Sequence, residues 1–427
     1  MINNAVMQFV DRAYLAHDSL ESLEAVLPAG MMMWMFSGFF QSAVGYSSVF
    51  VAQYHGAGDA ANCRASTRAA FAIAAISGLL SLPLVPLGGW ILSISAPSAT
   101  VLARERAYFD IAMLGAVFIY AQTAAAAYFT GLGRTRIVFW TNLIGNMLNI
   151  ALDPFLIFGW CGCPRLGIAG AAVATVVSMA VQWAILAVAV RRDCGGGAVA
   201  PGVWRLVARI LRFGIPSGCY TTLNCLSFTI FVFVTSGVGE LELAVSNACF
   251  TVNYLIFAPM EGFSLGASTL VAQAIGRGDS QSAVRDMRRT LILGLGFVAI
   301  LSLSVIAAAR PVLSLFAAES LARDADALTR FYSLGLTLFA LMMAWQLFDA
   351  ADVIISGALK GAGDTKFVMW WMFIAAFGLW LPLVFAVRSF HNTMPALWTT
   401  MVAYVVVICA GSYLRWRFGP WRKIKLV

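Results

Sequence analysis

The stretch that decides the fold is residues 51–59, VAQYHGAGD, because it returns 220 residues later as VAQAIGRGD at residues 271–279. A second pair of related stretches, GLGRTR at 131–136 and GAGDTK at 361–366, stands at the same relative point of each half. Glycines at such places end helices where a short turn is needed. Two matches in register indicate an internal repeat rather than a chance similarity.

The chain around these stretches is strongly apolar. Of its 427 residues, 61% are hydrophobic and only 11% are charged, and the mean hydropathy is +0.83. A soluble domain carries about 25% charged residues and could not bury so much apolar surface. The composition therefore indicates a membrane protein and excludes intrinsic disorder and coiled coils.

Twelve apolar runs are predicted to span the membrane as helices. Each half contains six of them, so the halves are predicted to be parallel six-helix repeats of an all-α polytopic membrane protein. The short alternating segments of a membrane barrel are absent from the sequence. The runs lie at 1–16, 25–53, 70–94, 107–130, 137–159, 166–190, 210–236, 243–273, 290–317, 328–358, 367–388 and 393–414.

The repeat also predicts the division into lobes. We expect an amino-terminal lobe at 1–190, a glycine-rich cytoplasmic linker at 191–208, and a carboxy-terminal lobe with a basic tail at 209–427. By the offset of the repeat, the first span should begin about nine residues before Met1. This predicts a truncated first helix, from either a longer natural chain or a misassigned start.

Positive charge predicts the orientation. With the amino terminus inside, the inner segments hold 20 of the 28 basic residues, including all four lysines. The positive-inside rule then places both termini in the cytoplasm of a multi-pass plasma (inner) membrane protein. The same rule accounts for the net charge of +8 without a nucleic acid partner.

Acidic residues inside the spans are the candidate functional groups. Each costs about 2.5–3.5 kcal/mol at mid-helix, and no Lys or Arg stands at helical spacing inside the same span. They are therefore predicted to be protonated, paired across helices, or bound to a cation, which is the chemistry of proton or sodium coupling. These residues are Asp11, Asp153, Glu261, Asp349 and Asp352.

The strongest cluster is predicted around Asp153. Asn149 lies four residues earlier, on the same helical face, and Pro154 frees a backbone carbonyl. Thr175 lies in the next span among small residues that permit close helix approach. These oxygens suit a hard monovalent cation such as Na⁺. The alternative is a structural polar clamp with Asp153 neutral.

The carboxy half offers a second acidic group. Asp349 and Asp352 are three residues apart and share a face, so two close carboxylates would not both ionise in a dry site. A water-facing cavity wall is the alternative. Glu261 follows Pro259 in mid-span, where it either faces a cavity or bonds the broken backbone.

Other classes of function lack their motifs in this sequence. The eight cysteines show no zinc-ligand spacing, and there is no phosphate-binding glycine loop, HExxH motif or Ser/His/Asp set. We therefore predict no enzyme activity, no catalytic residue, no cofactor and no ATP-driven step.

The motifs together resemble the multidrug and toxic compound extrusion (MATE) family, NorM-like members in particular, over nearly the whole chain. The resemblance implies a V-shaped twelve-helix antiporter that exports organic cations and drugs in exchange for Na⁺ or H⁺, expected as a monomer in membrane lipid. The motifs that carry it are Val10-Asp11, VAQ at 51–53 with GAGD at 56–59, GLGRT at 131–135, NIALDP at 149–154, Phe158-Gly159, LGIAGAA at 166–172 and GALKG at 357–361.

The resemblance also assigns site residues. Asp11, Asn149, Asp153 and Thr175 match the family's amino-lobe cation site, and Asp349 matches the carboxylate of span ten.

One position departs from the family pattern. NorM-type members have a glutamate in span seven where this chain has Asn224, so Asp352 or Glu261 would have to compensate in the carboxy lobe.

Two rival functions stay open. A lipid-linked oligosaccharide flippase of the same superfamily shape should show a cationic cavity lining, whereas the charges inside these spans are acidic. A channel would have no need of buried titrating carboxylates. The sequence does not distinguish Na⁺ from H⁺, nor does it name the cargo.

Overall fold

The computed structural model describes residues 2–95, 98–195, 202–316, 325–424 and 426–427, and their regular structure is helical. The described residues of each predicted run are mostly helical, although several runs are divided between successive helices, so the all-α prediction is confirmed. The centre of the predicted linker, residues 196–201, lies outside the described residues.

Nine α-helices are found in the described residues of the first half. They are α1 (Ile2–Asp18), α2 (Leu20–Gly45), α3 (Ser47–Gly56), α4 (Ala60–Ser81), α5 (Leu84–Ser95), α6 (Ala99–Leu114), α7 (Ala116–Gly131), α8 (Thr135–Phe158) and α9 (Ile168–Cys194).

Eight further α-helices are found in the part of the second half that the structure describes. They are α10 (Val203–Thr235), α11 (Glu240–Gly276), α12 (Ser280–Ala307), α13 (Ala309–Ser314), α14 (Ala325–Gly361), α15 (Thr365–Phe373), α16 (Leu381–Phe390) and α17 (Met394–Phe418), with a π-helical stretch Ile374–Trp380 joining α15 to α16.

Several spans are bent where the sequence predicts unbroken runs. In the described residues seven helices are long and apolar enough to cross a membrane, and two bent pairs raise the number to nine. The first pair bends by 47° beside Pro83, which has no N–H to donate to the preceding turn. The second bends by 41° at Gly115, where a Cβ would lie 2.2 Å from the Val176 side chain. These bends follow from a missing donor and from close packing.

The chain folds into two compact units. The amino unit comprises Ile2–Thr222 together with Ala272–Gly278 and Leu426–Val427, and the carboxy unit comprises Leu223–Val271 and Asp279–Lys425. The helices α10 and α11 therefore each contribute residues to both units.

Small residues let helices approach closely inside the amino unit. Gly56 and Gly276, from the two copies of the repeated stretch, each pack on backbone of the other copy. A Cβ on Gly56 would lie 2.1 Å from the Gln273 carbonyl oxygen, and one on Gly276 would lie 2.0 Å from that of Gln53. Only glycine fits at both places, which explains why the repeat keeps it.

Aromatic rings fill the core of the carboxy unit. Trp398 stacks on Phe250 with ring centroids 4.8 Å apart, and Trp380 stacks on Tyr404 at 4.6 Å. The indole N–H of Trp398 donates to Ser246 Oγ at 3.1 Å, so its buried polar group is satisfied. Trp345 of α14 also contacts the Trp398 ring of α17, with centroids 5.8 Å apart, so these two helices lie beside each other where the second acidic group is found.

Candidate cation-coupling site

Three helices of the amino unit bring together the four residues that the sequence assigns to a cation site. Asp11 lies on α1, Asn149 and Asp153 on α8, and Thr175 on α9. Asn149 and Asp153 are fully buried, Thr175 is 9% exposed, and Asp11 is half-buried. The spacing of four along α8 turns its two polar side chains toward the same neighbours.

The Asn149 amide links the three helices. With its nitrogen turned toward α1, it donates to Asp11 Oδ1 at 3.1 Å, and its oxygen accepts from the Thr175 backbone N–H at 3.2 Å. The Thr175 hydroxyl donates to the Ala171 carbonyl at 3.0 Å. This orientation follows from the hydrogen-bond partners, because it satisfies both ends of the amide.

The two carboxyl groups face each other. The side chains of Asp11 and Asp153 lie within hydrogen-bonding reach of one another. No N–H or hydroxyl donor among the described residues reaches either carboxyl oxygen of Asp153. Two acids this close cannot both be ionised in a dry site without a positive charge between or beside them. The pair therefore needs a shared proton or a bound cation.

Pro154 leaves one carbonyl oxygen of α8 without its helical hydrogen bond. Pro154 has no N–H, so the Ile150 carbonyl receives no hydrogen bond from four residues ahead. α9 lies close to α8 here, since a Cβ on Gly170 would lie 2.4 Å from the Leu156 carbonyl oxygen. The predicted close approach of the two spans is confirmed.

Apolar and aromatic side chains surround the acidic pair. Leu15, Ile157, Ile168 and Ala171 are buried, and Tyr108 packs against them in the same cluster. Tyr108, on α6, lies near both Asp11 and Asp153 and was not identified from the sequence. Its phenol makes no hydrogen bond to Asp153, so its ring acts here as part of the apolar surround.

A second polar cluster holds the end of α1. Asp18 accepts hydrogen bonds from Arg165 at 2.9 Å and from Ser22 at 2.8 Å, and Arg104 lies 3.9 Å away. Arg104 also donates to Ser19 and Ser22. These contacts tie the end of the helix that carries Asp11 to α2, α6 and the loop before α9. No sequence periodicity connects residues so far apart, and this cluster was also missed.

The carboxy unit holds the other three predicted acids in one neighbourhood. Asp352 is 2% exposed and accepts from Ser356 Oγ at 3.4 Å, and Ser356 lies 3.4 Å from Ser412 of α17. Asp349 is half-buried and within electrostatic range of Asp352 and Glu261.

Asp349 also lines a small cavity of about 10 Å³. The Gln346 and Asn253 side chains beside it are hydrogen-bonded at 2.9 Å. This volume holds about one water molecule. Asn224, the position that departs from the family pattern, does not line the cavity.

A basic residue accompanies the carboxy-unit acids. Lys360 was counted above among cytoplasmic loop residues, but it lies in the last turn of α14, close to Glu261 and Asp352. Its positive charge offsets part of theirs. The amino-unit pair has no such partner among the charges near it except Arg12, which adjoins Asp11 and is exposed.

A family model matches most of this chain. The model of the MatE family matches residues 1–155 and 216–386. Among similar curated proteins, a probable multidrug resistance protein NorM of Thermotoga maritima is 25% identical over 97% of this chain and 88% of its own length. One of Deinococcus radiodurans is 29% identical over 74% and 69%.

Solved structures show the same fold. An outward-facing multidrug resistance MATE family transporter matches with a TM-score of 0.84 at 17% identity, over 99% of this chain and 94% of that one. A transporter of Pyrococcus furiosus, described as having a binding pocket of reverse polarity that suggests a different function, matches with a TM-score of 0.82 at 18% identity over 100% and 94%. The fold alone therefore does not decide the cargo.

Proposed function

Because the chain belongs to the MatE family of membrane transporters, we propose that it exports organic cations and drugs across the inner membrane in exchange for Na⁺ or H⁺. Its relatives named as probable multidrug resistance proteins support export of drugs. The observation that carries the coupling is the Asp11–Asp153 pair, in which buried Asp153 has no donor among the described residues. Such a pair binds one positive charge. The repulsion between its two carboxylates is present when the site is empty and is removed when the charge is bound.

Each residue of the cluster has a distinct role in this proposal. Asp11 and Asp153 bind the coupling cation, either a proton shared between them or a sodium ion. Asn149 holds Asp11 toward α8 through the 3.1 Å hydrogen bond, and Thr175 fixes Asn149 from α9. Carboxylate, hydroxyl and backbone carbonyl oxygens are the ligands that a hard cation prefers. The residues present therefore fit either ion.

Occupancy of the pair would change the position of α1. With both acids ionised, repulsion at short range favours separation of α1 from α8, and a proton or sodium ion removes that repulsion. Exchange follows if the cation and the cargo favour different positions of α1, because a ligand shifts an equilibrium only by its differential affinity. In this proposal both termini are cytoplasmic, and lobes at 1–190 and 209–427, joined by the linker 191–208, alternate in access.

The test is efflux of ethidium from proteoliposomes under separately imposed sodium and proton gradients. We expect one gradient alone to drive efflux in the wild type. Asp153→Asn removes one charge-assisted contact of about 1.5–3 kcal/mol and should lower gradient-driven efflux by about tenfold or more. Sodium-only drive would make the pair a metal site, and proton-only drive would make it a protonation switch.

Glu105→Gln provides a matched control. Glu105, on α6 of the same unit, is 1% exposed and its Oε2 also has no hydrogen-bond partner in the described ranges, but it is not part of the cluster. The proposal predicts that this variant keeps coupled efflux. An Asp153→Asn protein that folds normally and exports at the wild-type rate would refute the proposed coupling role. Absence of efflux in the wild type under both gradients would favour the flippase.

A further inference from the structure

A large cleft in the amino unit has no part in the proposed exchange. It has a volume of about 1110 Å³ and lies where α7 ends, α8 begins and α9 ends. None of the cation-site residues lines it. Its walls are Phe129, Gly133, Arg134, Thr135, Arg136, Ile137, Ala184, Ile185, Val188, Ala189, Arg192 and Asp193.

The polar rim of the cleft has an excess of positive charge. Arg134 pairs with Asp193 at 3.0 Å, and the Tyr128 hydroxyl donates to the same carboxylate at 2.8 Å. Arg136 and Arg192 are exposed and form no ion pair or side-chain hydrogen bond with the part of the chain that the structure describes. Two guanidinium groups are therefore available to an anion.

The start of α8 strengthens this preference. Thr135, Arg136 and Ile137 form the first turn of a 24-residue helix, and Arg134 at the N-cap position makes no side-chain capping bond. The first N–H groups of a helix have no partner within it and favour a bound anion such as a phosphate. The two arginines and the helix end face the same cleft.

The remaining wall is apolar. Ile185, Val188 and Ala189 lie on α9, one of the helices apolar enough to cross a membrane, and Val188 is 51% exposed. Arg192 follows Val188 by four residues, so the charge stands directly beyond the apolar strip on one face. A ligand that fills this cleft should therefore be anionic at one end and apolar at the other.

We propose that the cleft binds an anionic phospholipid, with its phosphate between Arg136 and Arg192 at the start of α8 and an acyl chain along Ile185 and Val188. Basic pockets between membrane helices suit anionic headgroups. The arginines would repel the organic cations proposed as cargo, so the cleft is not a second cargo site. A free phosphate compound would share the headgroup chemistry but would leave the apolar wall uncovered.

The experiment is native mass spectrometry of the detergent-purified protein titrated with phosphatidylglycerol, with phosphatidylcholine as the neutral lipid. The double variant Arg136→Gln and Arg192→Gln should bind phosphatidylglycerol about 10- to 30-fold more weakly, since each basic residue near an anionic lipid contributes about a three- to fivefold factor. The matched control is Arg288→Gln with Arg289→Gln, two exposed arginines of α12 outside the cleft, which should bind as the wild type does.

Two further arms decide the source of the phosphate. Val188→Gln should weaken phosphatidylglycerol binding while both arginines remain, and glycerol 3-phosphate at equal concentration should not displace the lipid. If glycerol 3-phosphate displaces the lipid and Val188→Gln has no effect, the proposed phospholipid ligand is wrong and the ligand is a soluble phosphate compound. If both double variants lose phosphatidylglycerol binding equally, the binding depends on diffuse surface charge, and the proposal of a site in the cleft is wrong.

Discussion

The two repeated turns at 131–136 and 361–366 share a backbone but differ in their side-chain contacts. In each, the third residue is a glycine with positive φ, 76° at Gly133 and 93° at Gly363. Each helix also ends on a glycine pressed against a carbonyl group at the equivalent place. A Cβ would lie 2.6 Å from the Ser48 oxygen in the first half and 2.3 Å from the Ser268 oxygen in the second.

The ion pairs at these turns have opposite polarity. In the first turn Arg134 pairs with Asp193 of α9, and these side chains are 62% and 35% exposed. In the second turn Asp364 pairs with Arg415 of α17 at 2.7 Å, and Asp364 is only 6% exposed. The Arg415 guanidinium also lies 4.7 Å from the centre of the Phe367 ring.

The difference shows that physical constraints preserve one part of a repeat and leave another part free to change. Glycine at a positive φ or against a carbonyl group has no substitute, so both halves keep it. An ion pair can exchange its ends without moving the backbone. In the second half the pair is buried and covered by Phe367, whereas in the first half it stays exposed on the wall of the cleft proposed to bind lipid.

The largest expected effect is the difference in stability loss between variants of Asp364 and Asp193. Asp364→Asn leaves Arg415 partly buried without its partner, which costs about 3–5 kcal/mol for a buried pair. We expect the low end of that range, because Arg415 is 29% exposed. Asp193→Asn breaks an exposed pair and should cost about 0–1 kcal/mol. Thermal unfolding of both variants in the same detergent measures the difference.

One further variant tests whether the loss of stability comes from the unpaired charge of Arg415. Asp364→Asn combined with Arg415→Gln removes both charges and should recover part of the lost stability, because no unpaired buried charge remains. If Asp193→Asn proves as destabilising as Asp364→Asn, the contrast between an exposed and a buried pair would be wrong.

A smaller loss of stability is expected when the glycine that ends each helix is replaced, and it should be alike in the two halves. Gly131→Ala and Gly361→Ala each place a methyl group on a backbone carbonyl, and overpacking of this kind costs about 1–3 kcal/mol. Gly296→Ala is the control, because no atom lies within 4 Å of its Cβ position. That helical site should gain about 0.5–1 kcal/mol. Tolerance of alanine at only one of the two turns would show that the shared backbone is not equally constrained.

Part of this architecture and of its candidate site could be predicted from the sequence. The apolar runs predict the helical segments, and the spacing of Asn149 and Asp153 predicts a shared face because a helix repeats every 3.6 residues. The structure agrees with both. Asp11 could be added only through the family resemblance, since nothing in the pattern links it to residues about 140 positions away.

The features missed depend on contacts between distant helices. The Asp18–Arg165 pair and the position of Tyr108 follow from how α1, α6 and α9 pack, and no local pattern encodes that packing. Lys360 was assigned to a loop because the apolar run ends before it, yet α14 continues to Gly361. The reversed polarity of the ion pairs was missed because Asp193 and Arg415 lie outside the repeated motifs.

The smallest expected effect concerns the caps that follow the first repeated stretch in each half. Asp59 Oδ1 accepts from the Asn62 N–H at 2.9 Å, and Asp279 Oδ1 accepts from the Ser282 N–H at 2.9 Å. The Asn62 backbone and side chain hold the pKa of Asp59 below its ordinary value, and the Ser282 hydroxyl and backbone do the same for the pKa of Asp279. The two caps are therefore alike where the ion pairs are opposite.

A lowered folded pKa fixes the direction of the pH dependence. Each cap stabilises the folded state above the unfolded pKa of about 4, and this contribution is lost as the pH falls through the lowered folded pKa. Asp59→Asn and Asp279→Asn keep a capping side chain but do not titrate, so each should be slightly less stable than the wild type at pH 6, and the difference should shrink as the pH falls through the lowered folded pKa. Thermal unfolding across this range measures both, with equal small differences expected in the two halves. A difference that persists at the acidic end would mean that the stabilisation comes from the shape of the cap rather than from its charge.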